Sequence, residues 1–140
     1  MDFTPSDAQQ AMVGLADRIM GDHLDMGRHL AVETAGGWFD RDLWEDLASA
    51  GLLGIALGTD VGGSGLDVVA LALLLGVQGS HVAPLPLLPS SVAAVIVDQH
   101  GSDEQRHRLL RRHHADINCT LTENPVVGSQ RFNVADCSSV

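Results

Sequence analysis

Apolar residues recur near the start of the chain at helical spacing. Ala8, Ala11, Met12, Leu15 and Ile19 follow the i, i+3, i+4, i+7 pattern of one buried stripe. Thr4 can cap this helix, Pro5 suits its first turn and Asp7 completes a Thr-x-x-Asp capping box. Gly14 and Gly21 weaken the helix without breaking its pattern. A second helix is predicted after Asp40, a good cap, with Phe39 placed to pack on Trp44 as a hydrophobic staple. Leu43, Trp44, Leu47 and Ala48 form its apolar face, and Gly51 supplies a left-handed stop.

From Val68 to Val77 the chain is apolar on every side, which predicts a helix buried on most faces. Pro84, Pro86 and Pro89 form a stiff connector. Ser90 or Ser91 then opens a second apolar run, Val92 to Val97, which ends near Gly101. A chain of this size has trouble covering both runs, and the surplus would form an exposed apolar patch of the kind that marks an interface. Ser102-Asp103-Glu104-Gln105 is a capping box, and Arg111, Arg112, His113 and His114 place positive charge where the dipole of the following helix favours it. Beyond it, Ile117, Cys119 and Leu121 alternate with Asn118, Thr120 and Thr122, the period-two pattern of a strand. One lone strand makes no stable sheet. The fold class is therefore mainly α: about five helices over residues 1–116, then a short β or irregular tail over residues 117–140.

The length, 140 residues, fits one ordinary domain. Eight basic residues against eighteen acidic ones give a formal charge of −10, which argues against a nucleic-acid partner or an anionic membrane surface. All eight basic residues are arginine. The lack of lysine excludes a Walker-A loop, a pyridoxal Schiff base and a kinase-type ATP site. Two cysteines are too few for a secreted disulfide framework, the N-terminus does not read as a signal peptide, and no apolar run approaches the roughly 20 residues that span a bilayer. A cytoplasmic protein is expected.

Candidate chemistry is sparse. The glycine-rich stretch from Gly58 to Asp67 lacks Gly-x-Gly-x-x-Gly spacing, so a tight loop between helices is favoured over a phosphate cradle. His107, His113, His114 and Asp116 lack the spacing of a zinc site, and no metal is expected. His81 and His100 fall at helix ends, where imidazole caps or faces water. There is no Gly-x-Ser-x-Gly elbow. Cys119 reads as a small buried residue. No residue is assigned a catalytic role.

The order of features nevertheless resembles a known family. Asp40-Arg41-Asp42-Leu43-Trp44 followed by Leu47 to Gly54, Val61-Gly62-Gly63-Ser64-Gly65-Leu66-Asp67, Ala83-Pro84-Leu85-Pro86-Leu87-Leu88, Gly101-Ser102-Asp103-Glu104-Gln105-Arg106 and Leu121-Thr122-Glu123 are similar, in sequence and order, to motifs of the flavin-dependent acyl-CoA dehydrogenases. The resemblance implies an all-α N-terminal domain, with residues 117–140 at the start of a middle β domain. It implies the family reaction, FAD-dependent α,β-dehydrogenation of acyl-CoA thioesters in fatty-acid or steroid side-chain breakdown. The family's catalytic glutamate lies in a C-terminal domain with no counterpart here, so a truncated form with little activity alone is expected. The alternative is a non-catalytic module that docks through its apolar helices on a separately encoded flavoprotein subunit or on itself.

Residue by residue, the resemblance places Leu121, Thr122, Glu123, Gly128 and Ser129 against FAD, although the chain alone is not expected to hold the cofactor. It places Leu73, Gly76, Val77 and Ser91 on the acyl-CoA pocket, where relatives often carry a Glu pair at the positions of Gly76 and Val77. The same apolar residues equally fit a plain core. Asn124-Pro125-Val126-Val127 is one residue longer than the family link, and Gln130 replaces its aspartate.

Overall fold

A computed structural model describes residues 4–34 and 39–113. The strand expected at 117–121, the tail to 140 and the side chains of Arg111, Arg112, His113 and His114 lie outside the described set. Six α-helices appear within it: α1 (Asp7–His23), α2 (Met26–Thr34), α3 (Arg41–Ser49), α4 (Val68–Ser80), α5 (Leu87–His100) and α6 (Asp103–His113), with one 3-10 turn at Thr59–Val61. The described residues contain no strand, so the fold is mainly α as expected. None of these helices is long and apolar enough to cross a membrane.

The capping box of α1 is formed by Ser6 and Gln9 rather than by Thr4 and Asp7. The Ser6 hydroxyl accepts from the Gln9 N–H at 3.3 Å, and the Gln9 side-chain oxygen accepts from the Ser6 N–H at 2.9 Å. The Gln9 amide also donates to Asp67 at 3.0 Å, fastening α1 to the cap of α4, a gain that a box built on Thr4 would not include. The buried stripe rotates accordingly. Met12, Ala16 and Met20 are buried and Ile19 is half-buried, whereas Ala8, Ala11 and Leu15 are exposed. Ala16, with no exposed surface, lets α1 lie close to α3 and α4, and it is this packing that selects between two overlapping stripes.

A helix that periodicity did not reveal, α2, follows an Asp25 cap whose carboxylate accepts from the Arg28 N–H at 2.7 Å. It buries none of its residues, so it lacks the apolar stripe by which helices are recognised. Next, α3 matches the expected pattern. Asp40 caps it through the Leu43 N–H at 3.2 Å, Phe39 meets Trp44 edge-on with ring centroids 5.8 Å apart, and Leu43, Trp44 and Leu47 are buried.

The Asp40 carboxylate is fully buried and charged. Arg28 of α2 donates to both of its oxygens, at 2.8 and 2.7 Å, and to Asp42 at 2.8 Å. The guanidinium, followed by the Leu43 N–H, holds the Asp40 carboxyl below its ordinary range against the opposing effect of burial.

The stretch 58–67 is a tight loop. Backbone N–H groups of Gly63, Ser64, Gly65 and Leu66 donate to carbonyls of Gly58, Gly54, Leu57 and Ile55 at 2.9 to 3.1 Å, so they turn inward rather than toward a phosphate. A Cβ on Gly63 would overlap the Leu57 backbone.

α4 departs from its expected burial. Ala70, Leu71, Leu74 and Val77 are buried on one face, while Val68, Val69, Ala72 and Gly76 are exposed on the other. α5 begins at Leu87, ahead of the expected serines, with Pro86 as its cap residue. Pro89 thus sits inside the first turn, where its missing N–H costs nothing. α6 starts as expected: Ser102 and Gln105 exchange bonds of 2.9 and 3.3 Å. Most of the core lies between α1, α3 and α4, and a smaller cluster of Leu57, Val61, Ala94 and Leu110 joins the glycine-rich loop to α5 and α6.

Two helices end in the same Schellman geometry with different residues. After α3, Gly51 at φ +73° donates to Ala48, and Leu52 donates to Leu47. After α4, Val82 at φ +51° donates to Gly79, and Ala83 donates to Gln78. A β-branched residue in the left-handed region is strained, and Val82 is 74% exposed, so little packing compensates. Val82→Gly is expected to raise stability by about 1 kcal/mol, the relief of strain less the entropy of glycine, measurable by chemical denaturation.

Because Asp40 holds its proton less tightly folded than unfolded, its contribution to stability is present above about pH 4 and is lost as pH falls further. Asp60, lowered chiefly by Arg106, acts in the same direction. Asp40→Asn keeps the cap but loses the charge. Thermal melts from pH 7 to 3 are expected to show a lower midpoint for the variant at neutral pH, a shallower acid slope, and a gap to the parent that narrows as pH falls below about 4.

Candidate functional site

The surface with the clearest functional signature is built by α4 and α5. Polarity on α5 is partly inverted: Ser90 and Ser91 are buried beside Leu87 and Ala94, while Leu88, Val92 and Ile96 are 52%, 45% and 54% exposed. Their i, i+4, i+8 spacing puts the three on one stripe. The buried Ser90 hydroxyl has no hydrogen-bond partner among the described residues. Such a helix suits an environment that covers its outer face as well. The open face of α4 is lower in relief, with Val69, Ala72 and Gly76 exposed and space beside Gly76.

Between these helices and the segment after α3 lies a shallow crevice lined by Leu53, Ile55, Ala56, Leu57, Leu71, Ser91, Ala94 and Val95. Ser91 supplies its one polar side chain. The crevice encloses no space even for a water molecule, whereas pockets for small molecules begin at roughly 300 Å³. It does not fit a flavin ring or a CoA thioester, and no chemical step is assigned to it.

The residues expected on the acyl-CoA pocket occupy different surroundings. Val77 is part of the main core, and Leu73 is half-buried against that core. Gly76 faces outward on α4. Ser91 lies in the crevice wall, where α5 approaches Leu71 of α4. The four do not converge on this crevice. Leu121, Thr122, Glu123, Gly128 and Ser129, expected to touch FAD, lie outside the described residues.

An arginine clamp that the sequence did not disclose fixes α5. Arg106 of α6 donates to Asp98 of α5 through Nε at 3.2 Å and Nη2 at 2.7 Å, and to Asp60 of the glycine-rich loop at 2.7 Å. The second Asp98 oxygen accepts from the Gly58 N–H at 3.3 Å. Hydrogen bonds to Asp98 and then Asp60 raise the Arg106 pKa. The one available signal was a base near the N-terminus of α6, where the helix dipole disfavours it.

Two histidines fasten α1 to its neighbours. His23 pairs with Asp46 of α3, and His81, at the end of α4, pairs with Asp17 at 2.9 Å. The described residues hold no cluster of three or more potential metal ligands. Their polar groups brace helices, and the arrangement is that of a scaffold presenting an apolar surface.

Comparison with known proteins agrees with this architecture. Residues 6–115 match the model for the acyl-CoA dehydrogenase N-terminal domain. Acyl-CoA dehydrogenase FadE27 of Mycobacterium tuberculosis is 34% identical over 105 residues, covering 74% of this chain and 28% of that protein. Among solved structures, the Tcur3481-Tcur3483 steroid ACAD variant superposes with a TM-score of 0.74 at 46% identity, covering 77% of this chain and 30% of that one. The ChsE4-ChsE5 complex from Mycobacterium tuberculosis gives a TM-score of 0.76 at 30% identity, covering 81% and 32%. The chain therefore spans less than a third of the length of these relatives. With the match running from the cap of α1 to the end of α6, the chain belongs to the acyl-CoA dehydrogenase family and carries its N-terminal helical domain.

Proposed function

We propose that this chain is the N-terminal helical part of an acyl-CoA dehydrogenase whose substrate is a steroid-type acyl-CoA thioester. The observation that carries this reading is the 46% identity to a steroid ACAD over 77% of the chain. In the family reaction a carboxylate removes the α proton while FAD takes the β hydrogen as hydride. No group among these 140 residues is assigned as that base. The contribution proposed for this chain is a wall: Leu73, Gly76, Val77 and Ser91 beside the acyl portion, and Leu121, Thr122, Glu123, Gly128 and Ser129 beside the flavin. The absence of both Tyr and Lys is compatible with a wall that shapes a site without carrying its chemistry. A cytoplasmic setting goes with this reading, supported by the low cysteine count.

A second reading is favoured by the partly inverted polarity of α5. In it the domain docks through Leu88, Val92 and Ile96 on a separately encoded flavoprotein subunit or on itself. The likeness to a two-component complex supports it.

The two readings are tested together on the purified chain. Little turnover of a steroid acyl-CoA thioester and no flavin absorbance are expected from these 140 residues alone; a flavin spectrum with turnover would overturn the assignment as a wall. Val92→Glu is expected to keep the melting behaviour, because the side chain is not in the core, within about 0.5 kcal/mol. If α5 is a docking face, the variant loses association in light scattering. A parent chain that is strictly monomeric and captures no flavoprotein subunit would rule the docking reading out.

A further inference from the structure

Of the six helices, α2 alone has no buried residue. None of its side chains belongs to the main core or to the half-buried layer packed on it. At nine residues it is shorter than the roughly 12–15 at which isolated helices become even marginally stable in water. Its cap, Asp25, is local, and Thr34 bonds within the helix to Leu30. The hydrogen bonds that tie its side chains to the rest of the described structure all come from Arg28, onto Asp40 and Asp42.

We propose that α2 is a strap held on the domain by this single ionic latch, and that it opens as a unit while the other helices stay folded. Upstream, the chain is anchored as far as Leu24, which packs on the core and closes α1 through its N–H to Met20. Downstream, the anchor resumes at Phe39 and Asp40, where the Asp40 N–H donates to Pro84 at 3.1 Å. When Arg28 leaves, Asp40 keeps the Leu43 N–H and the favourable end of the α3 dipole, so α3 need not unravel. The open state gives water access to Asp40 and to the half-buried sides of His29 and Val32. It costs ionic hydrogen bonds and, beyond the half-buried side of Val32, little apolar burial, so its population rises with salt. The latch makes the entrance to α3 a two-position element, closed by an arginine and opened by whatever competes for that arginine or its carboxylates.

Hydrogen exchange read by mass spectrometry on the 140-residue chain tests this. Amides from Leu30 to Thr34 are expected to be protected, yet to exchange about a hundredfold faster than those from Met12 to Met20. Arg28→Gln is expected to speed the α2 amides about tenfold. Because that variant leaves Asp40 buried without its partner, Asp42→Asn serves as the milder case, with about a threefold effect confined to α2. Equal protection of α2 and α1, or substitutions that speed every helix alike, would show that α2 opens only by global unfolding. Amides unprotected in the parent chain and unmoved by either variant would show that no latch exists.

Discussion

Asp40 is the one ionisable side chain buried among the described residues, and three parts of the chain meet on it. Its carboxylate caps α3 and receives Arg28 from α2, while its N–H reaches the carbonyl of Pro84 in the connector between α4 and α5. A buried charge is tolerated only when paired and hydrogen-bonded. Here an arginine and a helix N-terminus satisfy it together. The start of α3, and with it the staple of Phe39 on Trp44, is fixed by the bonds of Asp40 to Leu43 and Pro84, to which Arg28 adds the tie to α2.

A second constraint is an excess of apolar surface. α4 and α5 carry hydrophobic residues all round, yet the described helices cover only one side of each. The Arg106 clamp and the small Leu57–Leu110 cluster hold α5 in this orientation, with its serines inward and Leu88, Val92 and Ile96 outward. A helix fixed in this way keeps an apolar face open among the described residues. The strained turn at Val82 borders the same helices, and there too the local geometry follows the connector rather than backbone preference.

Elements that bury a clear stripe or carry a cap with its stop were legible in the sequence. α3 shows both, from Asp40 to Gly51. α6 was legible through Ser102 and Gln105, whereas the equivalent pair at Ser6 and Gln9 went unrecognised beside an earlier Thr4 and Pro5. α2 was invisible because it is held by charge rather than by burial, and periodicity reports burial alone. Of the site residues, Val77 and Leu73 lie on the expected helix, but that Val77 is buried while Gly76 is exposed is a matter of which face a neighbour covers. The Arg106 clamp joins positions far apart in sequence, and no spacing rule links Asp60 to Arg106.

Local physics decided what the chain could settle by itself. Caps, glycine stops and the exclusion of lysine chemistry depend on residues a few positions apart, or on their absence from the whole chain. Family membership was also readable, because the order of motifs is a property of sequence. Tertiary structure alone decided which stripe of α1 is buried, that α5 turns its serines inward, and that Arg28 finds Asp40. Each of these depends on what stands opposite a side chain in space, and apolar or charged residues free to choose among several partners carry no mark of the one they meet.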